Sequence, residues 1–340
     1  MIVPTIRPAS LQPAVELADQ VDCPLVVLCT NEEQAQTAHI NHCLPSRLTE
    51  NIFITYVPPA IWDARLDFLT STHPETDIEA SCHIDIARKR NVALLLARIC
   101  GWRTIMYLDD DIRDLTASTI SAAAAQVAYF RAVGFEIDDY PDNSVVCHAN
   151  RLAGAKQGVF PGGSALMIDV LGSDSVFPPI YNEDWLFLFD AVRNRSLAVA
   201  SKLTQLGYFP FTHSRRAASE EFGDIIAEGL YRLIHERASS VDATLDYWKD
   251  ALNRRSQLID DIAMRLLFQD GTQPVIGSAL MSLAAARKRL DAITALACVS
   301  FIRAWRTDLS NWQSRLADLP VLGDLRDAAK YLDLPIIGTD

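Results

Sequence analysis

The sequence is short of positive charge and has no long apolar run. Its 340 residues include 31 Lys and Arg against 43 Asp and Glu, which gives a formal net charge of −12. Nucleic acids and anionic membranes attract basic surfaces, so we expect neither to be the main partner of this chain. No apolar run reaches the length of about 18 residues that a transmembrane helix needs. The N-terminal MIVPTIRPAS also lacks the features of a signal peptide.

The cysteines form no pattern. The seven residues are scattered, odd in number and never spaced as a metal-binding pair. Such a set indicates free thiols in a reducing compartment, not a disulfide framework. Together with the missing signal peptide, it predicts a cytoplasmic protein. Glycine is not abundant either, at 14 residues, and 49% hydrophobic residues suffice for a sizeable core.

Short apolar runs alternate with helical segments in the first third of the chain. The runs predict strands at residues 2–6, 25–29, 52–57 and 104–108. The intervening segments predict helices at residues 11–20, 32–42 and 84–100. This alternation favours an α/β fold with a mostly parallel sheet and helices on both faces. In such sheets, ligands bind at the carboxyl ends of the strands.

The rest of the chain divides at about residue 218. Before that point we predict an Ala-rich helix and further strands and helices, at residues 117–133 (helix), 144–149 (strand), 162–168 (loop and strand), 182–193 (helix) and 202–211 (strand). After it, apolar residues recur at helical spacing. We therefore predict an α/β domain over residues 1–217 and an all-helical region over 218–340.

Three consecutive carboxylates follow the strand predicted at 104–108. In an extended stretch, Asp109 and Asp111 point to one side and Asp110 to the other. Like charges this close repel one another, and a divalent cation would relieve the repulsion. Mg²⁺ prefers one or two carboxylates together with phosphates and water. The pattern therefore indicates a cation site that also binds a diphosphate, with a solvated acidic turn as the alternative.

Two later segments carry further candidate residues. Glu183 and Asp184 open a predicted helix, where a carboxylate could act on a hydroxyl proton or simply complement the helix dipole. Gly162, Gly163 and Ser164 precede a predicted strand. Glycines there permit close approach of the backbone to a ligand, and a simple turn is the alternative.

The segment YLDDDI at residues 107–112 resembles the Asp-X-Asp motif of GT-A fold glycosyltransferases of the family-2 type. The order of the later motifs is similar as well, over about residues 1–220. The resemblance implies a Rossmann-like GT-A domain in which Asp109 and Asp111 hold Mn²⁺ or Mg²⁺ against the donor diphosphate. By the same resemblance, His213 would be a third metal ligand, and Arg215 would bind the diphosphate or an anionic acceptor.

The resemblance also implies donor contacts before and after the acidic triplet. In these enzymes, the matching positions that face the nucleotide sugar are Thr5, Arg7, Arg88, Asn91, Asp110, Gly162, Gly163 and Ser164. One departure concerns Asn31, which stands where many relatives carry an acidic residue that reads the base. Asn31 could still bind a base, so the donor nucleotide stays open. The stretch after His213 resembles glucosyl-3-phosphoglycerate synthase-like proteins.

The leading hypothesis is transfer of a hexose from a UDP- or GDP-sugar to an unidentified small-molecule or glycan acceptor. Asp184 is the first choice of base and Glu183 the second if the reaction inverts; if it retains, the pair only orients the acceptor. Nucleotidyl transfer with the same metal chemistry is an alternative, although the first strand lacks a Gly-rich loop. Two further alternatives are a phosphatase and a catalytically inactive scaffold protein. The helical region is a candidate surface for homo-oligomerisation.

Overall fold

The computed structural model describes most of the chain. The described residues are 1–43, 51–58, 66–76, 81–138, 143–156, 158, 160–269 and 273–338. Their architecture is α/β with a helical C-terminal region, as predicted.

A single sheet of eight strands organises the described part of the chain. The strands are β1 (Ile2–Pro4), β2 (Leu25–Cys29), β3 (Ile52–Tyr56), β4 (Thr104–Leu108), β5 (Ile112–Arg113), β6 (Ala132–Asp138), β7 (Ala165–Asp169) and β8 (Leu197–Gln205). Their order across the sheet is β3-β2-β1-β4-β7-β6-β8-β5. The first four predicted strands are confirmed, with small differences at their ends.

The sheet is mixed: six of its eight strands run in one direction and two run against it, so the prediction of a mostly parallel sheet is confirmed only in part. β1, β2, β3 and β4 run parallel to one another, and β6 is parallel to β8. β7 lies between β4 and β6 and is antiparallel to both, and β5 is antiparallel to β8.

Eleven α-helices lie in the described residues. They are α1 (Gln12–Gln20), α2 (Glu32–Ala38), α3 (Ser81–Ile99), α4 (Ala117–Val127), α5 (Val145–Leu152), α6 (Glu183–Arg193), α7 (Ser214–His235), α8 (Leu245–Leu267), α9 (Pro274–Ala292), α10 (Ala295–Ala317) and α11 (Leu325–Tyr331).

Three segments differ from their predicted secondary structure. The strand predicted at 202–211 is β8, which ends at Gln205. Residues 144–149 form the start of α5 and not a strand; Ser144 caps this helix by accepting a hydrogen bond from the backbone N–H of Cys147 at 3.3 Å. The Ala-rich helix ends at Val127, and residue 132 already begins β6. An apolar run of this length fits a buried helix as well as a strand, so periodicity alone does not separate the two.

Both faces of the sheet are buried. Side chains of neighbouring residues alternate between the faces, so Ile2 and Val26 belong to one hydrophobic core and Val3 and Val27 to the other. α1, α2 and α4 cover the second face. This burial on both sides explains why the first strands read as continuous apolar runs.

The core on the first face continues into the helical region. It includes α3 and the apolar sides of the helices from α6 to α11. Asp308 on α10 also accepts hydrogen bonds from the backbone N–H groups of Leu69 and Thr70, at 2.7 and 2.9 Å. The predicted boundary at 217/218 falls inside α7, so contacts of one core cross it.

Among the described residues, we find no helix whose length and apolar character would let it cross a membrane.

Candidate active site

A cleft of about 420 Å³ opens where β4 ends. Its lining includes Asp109 after β4, Gly162 and Ser164 before β7, and Glu183 and Asp184 at the start of α6. These residues come from three segments that are distant in sequence. A backbone hydrogen bond from Asp109 N–H to Ser164 C=O, at 2.7 Å, joins the first two segments.

Arg90 on α3 joins the acidic residues of the cleft. Its guanidinium donates to Asp109 Oδ1 at 3.3 Å and to Glu183 Oε1. The Tyr107 hydroxyl fixes the backbone of this helix by donating to Arg90 C=O at 2.8 Å. The guanidinium is 4% exposed, and a buried charge of this kind requires the carboxylate partners that it has.

Glu183 and Asp184 lie in different environments although they are adjacent. Glu183 is buried against Arg90, and desolvation raises its pKa to about 8 although the guanidinium favours the ionised form. Asp184 is half-buried in the cleft. Its carboxylate accepts hydrogen bonds from the backbone N–H of Gly163 at 2.5 Å and of Trp185 at 2.9 Å. Asp184 is therefore the carboxylate that is both oriented and accessible.

The two glycines allow the loop before β7 to approach these side chains closely. A Cβ atom at Gly162 would lie 2.6 Å from Asp184 Oδ2, and one at Gly163 would collide with the Arg90 guanidinium. The glycines were predicted to let the backbone approach a ligand. In the structure they let it approach side chains of the cleft itself.

The other two aspartates of the triplet are bound to the end of β1. Asp110 is buried and accepts a hydrogen bond from the Thr5 hydroxyl at 2.5 Å and another from the Arg7 guanidinium. Arg7 also donates to Asp111 Oδ2 at 3.0 Å. The repulsion within the triplet was predicted to be relieved by a cation. In the structure, guanidinium groups already relieve it.

The carboxylates of Asp109 and Asp111 match the chemistry of a Mg²⁺ or Mn²⁺ site in part. Both are partly exposed hard oxygen donors, which such ions use together with phosphates and water. The predicted third ligand, His213, is exposed at the start of α7. In the parts of the chain that the structure describes, no group of three His, Cys, Asp or Glu side chains is placed to share an ion. A cation would have to share its two carboxylates with Arg7 and Arg90.

Four other predicted site residues lie outside the described lining of the cleft. Asn31 is exposed and caps α2 by accepting from Gln34 N–H at 3.0 Å. Asn91 is fully buried, and its amide bonds to the backbone of Phe177 at 2.8 and 3.0 Å. Arg88 is half-buried and Arg215 is exposed.

The far half of the cleft was not predicted as a site from the sequence. Its lining consists mainly of aromatic and acidic residues, namely His83, Phe160, Tyr181, Asn182, Trp185, Arg216, Asp224 and Glu228. A signal was present in α7, because acidic residues interrupt the apolar pattern of that helix at helical spacing.

Arg216 rather than the predicted Arg215 faces this half of the cleft. Its Nε donates to Glu220 at 2.5 Å and its Nη2 to the Tyr208 hydroxyl at 2.7 Å. The guanidinium also lies 4.3 Å from the centroid of the Tyr208 ring. These contacts fix the guanidinium at the edge of the cleft.

Arg255 from α8 supports the acidic side of the cleft. It is buried and donates to Glu221 at 2.8 and 2.9 Å, to Asp224 at 2.5 Å and to Glu228 at 2.9 Å. One guanidinium thus serves three carboxylates, and desolvation raises the pKa values of Glu221 and Glu228, so the negative charge on this side of the cleft is reduced near neutral pH. Asn182, which has a left-handed backbone (φ 61°), also donates to Asp224 at 2.9 Å.

Comparison of the chain with protein-family models and with curated proteins finds no match.

Proposed function

We propose that this chain is a metal-dependent glycosyltransferase of the GT-A type, which transfers a hexose from a UDP- or GDP-sugar to an acceptor. The observation that carries the proposal is the meeting of Asp109, the Gly162–Gly163 loop and Asp184 at one cleft of about 420 Å³. This reaction needs a carboxylate for a cation and an oriented carboxylate at the acceptor, and the loop orients the second of these through Gly163 N–H.

The donor would bind at the acidic triplet, of which Asp109 lines the cleft. Asp109 and Asp111 would hold Mn²⁺ or Mg²⁺, which neutralises the negative charge of the departing nucleotide diphosphate when it is bound. Asp110 positions Thr5 and Arg7, since it bonds to both. Arg7 is half-exposed and brings a positive charge to the same end.

Asp184 would act at the acceptor. Two backbone N–H groups orient its carboxylate, so it can take the proton of an acceptor hydroxyl in an inverting reaction or position that hydroxyl in a retaining one. Glu183 is a positioning residue, since its contact with Arg90 links α6 to Asp109 through the same guanidinium.

Asp184→Asn tests this assignment. Loss of a general base lowers kcat by about 10²- to 10⁴-fold, and the nearly isosteric amide should leave the fold intact. Transfer or hydrolysis is measured with labelled UDP- and GDP-sugars in the presence of Mn²⁺. Thermal unfolding with Mn²⁺ and UDP or GDP provides the control, because both proteins should be stabilised equally. If neither nucleotide stabilises the wild-type protein, the proposal fails and an inactive scaffold is favoured.

A further inference from the structure

We propose that the far half of the cleft is an acceptor subsite for an uncharged or amine-bearing sugar ring, and that it excludes phosphorylated or carboxylated acceptors. The inference rests on the proposed function and adds the chemical class of the acceptor. It is carried by an aromatic wall, by the position of that wall beside Asp184, and by the carboxylates that line the cleft.

The aromatic wall consists of Phe160 and Trp185. Their ring centroids are 4.6 Å apart, and both side chains line the cleft. Tyr231 packs behind them, at 5.1 Å from Phe160 and 5.0 Å from Trp185, and its hydroxyl donates to Trp185 C=O at 2.9 Å. The rings are thus held before any ligand arrives, which lowers the entropic cost of binding.

A pyranose ring suits such a wall. Its C–H groups form an apolar face that can be buried against aromatic rings, while its hydroxyl groups lie around the rim. The residue before Trp185 is Asp184, and the two are joined by the hydrogen bond from Trp185 N–H to the Asp184 carboxylate. A ring on the aromatic wall therefore has the candidate base at its rim.

The carboxylates of the cleft select against anions. The described lining of the whole cleft has five carboxylates, Asp109, Glu183, Asp184, Asp224 and Glu228, against the guanidinium groups of Arg90 and Arg216. Arg90 is bound to Asp109 and Glu183, and Arg216 is bound to Glu220. Arg255, behind the lining, binds Asp224 and Glu228, and burial raises the pKa of Glu183, so the excess of negative charge is smaller than the number of carboxylates. Hydroxyl or ammonium groups of a ligand can donate to Asp224 and Glu228, whereas a phosphate or carboxylate would be repelled.

Three ligands with the same ring but different charge test the inference. Methyl α-D-glucopyranoside, D-glucosamine and D-glucose 6-phosphate are titrated into the full chain without a donor, with binding followed by saturation-transfer NMR. We expect the first two to bind and the phosphate to bind at least 10-fold more weakly. Equal or tighter binding of the phosphate, or no binding of the glycoside to folded protein, would overturn the subsite.

Variants locate the binding. Trp185→Ala and Phe160→Ala should each weaken glycoside binding at least 5-fold, and two variants are used because Trp185 also packs on the core. Tyr129→Ala is the matched control, since Tyr129 is 85% exposed and outside the described lining. Glu228→Gln should reduce the preference for glucosamine over the glycoside. Unchanged glycoside binding in folded Phe160→Ala protein contradicts the aromatic wall.

Nucleotide binding is measured on the same samples with Mn²⁺ and UDP or GDP. Sugar binding without any nucleotide effect would refute the proposed function and leave the subsite standing. Nucleotide binding together with a preference for glucose 6-phosphate would refute only the subsite.

Discussion

Two arginines set the electrostatics of the acidic triplet. Arg7 contacts Asp110 and Asp111, and Arg90 contacts Asp109. Arg90 is buried, whereas the Arg7 side chain is 52% exposed, so Arg7 can move away from its partners more easily than Arg90 can. Arg7 is therefore the residue that a cation would displace.

Replacing Arg7 tests this competition. Arg7→Gln removes the positive charge beside Asp111, so we expect the affinity for Mn²⁺ alone to rise several-fold. The measurement is Mn²⁺ titration by electron paramagnetic resonance, with no nucleotide present. Arg193→Gln, on an exposed face of α6, is the matched control. A lower or unchanged Mn²⁺ affinity in Arg7→Gln would show that the two do not compete.

His83 gives the cleft a pH dependence. Burial, together with the nearby charge of Arg216, lowers the pKa of His83 to about 4. The unfolded chain takes up this proton near pH 6.5. The contribution of neutral His83 to the free energy of unfolding is therefore fully present above pH 6.5. It is lost as the pH falls towards 4, and the loss amounts to up to about 3 kcal/mol.

His83→Phe isolates this contribution. Phe keeps an aromatic contact with Tyr181, which lies 5.2 Å from the His83 ring, but cannot be protonated. We expect urea unfolding to show a shallower loss of stability between pH 6.5 and 4 in the variant, while His148, whose pKa is also lowered to about 4, keeps part of the slope. Identical slopes in variant and wild type would contradict the assignment.

The residues of the triplet could be predicted from the sequence, but Arg90 could not. Helical spacing from Val92, Leu95 and Ile99 pointed to Arg88 instead. Residues 89–97 of α3 are buried on every side of the helix. The helix therefore has no single apolar face from which its orientation towards the sheet could be inferred. Which arginine reaches the cleft depends on tertiary packing, and a single sequence does not encode that in its periodicity.

Glycines inside α7 show how closely the elements pack. A Cβ atom at Gly223 would collide with the Tyr181 carbonyl, just before α6, and one at Gly229 with the Trp248 ring of α8. At Gly223, α7 approaches the backbone of the residue before α6, and at Gly229 it packs directly on the Trp248 ring. The position of the acidic wall therefore depends on small residues as much as on the charged ones.

Gly223→Ala and Gly277→Ala form a matched pair of helix substitutions. Gly223→Ala must shift backbone and should destabilise the protein by about 1–3 kcal/mol. Nothing lies within 4 Å of a Cβ atom at Gly277 in α9, so Gly277→Ala should stabilise by about 0.5–1 kcal/mol through helix propensity. Urea denaturation measures both. A Gly223→Ala protein as stable as Gly277→Ala would refute the close packing.

At the scale of the whole molecule, the α/β part and the helical region share one core. Leu166 and Ile168 of β7, Phe187 of α6 and Trp305 of α10 belong to the same cluster of buried side chains. The sequence predicts the helical character of residues 218–340 from its apolar spacing. It does not predict the shared core or the reversal of β7, because both arise from contacts between distant segments.

Ending the chain after residue 217 should therefore fail to give an independently folded domain. The truncation exposes the apolar surface that α7 to α11 cover, and we expect aggregation or the loss of a cooperative thermal transition. Size-exclusion chromatography and circular dichroism make the comparison with the full chain. A monomeric fragment with a cooperative melt would support the boundary at 217/218 as a true domain boundary.

The two ends of the cleft are built by different parts of the chain. The acidic triplet follows β4, whereas Trp185, Asp224 and Glu228 belong to α6 and α7. Under the proposed function, substitutions in α6 and α7 could therefore change the acceptor during evolution while the acidic triplet stays the same.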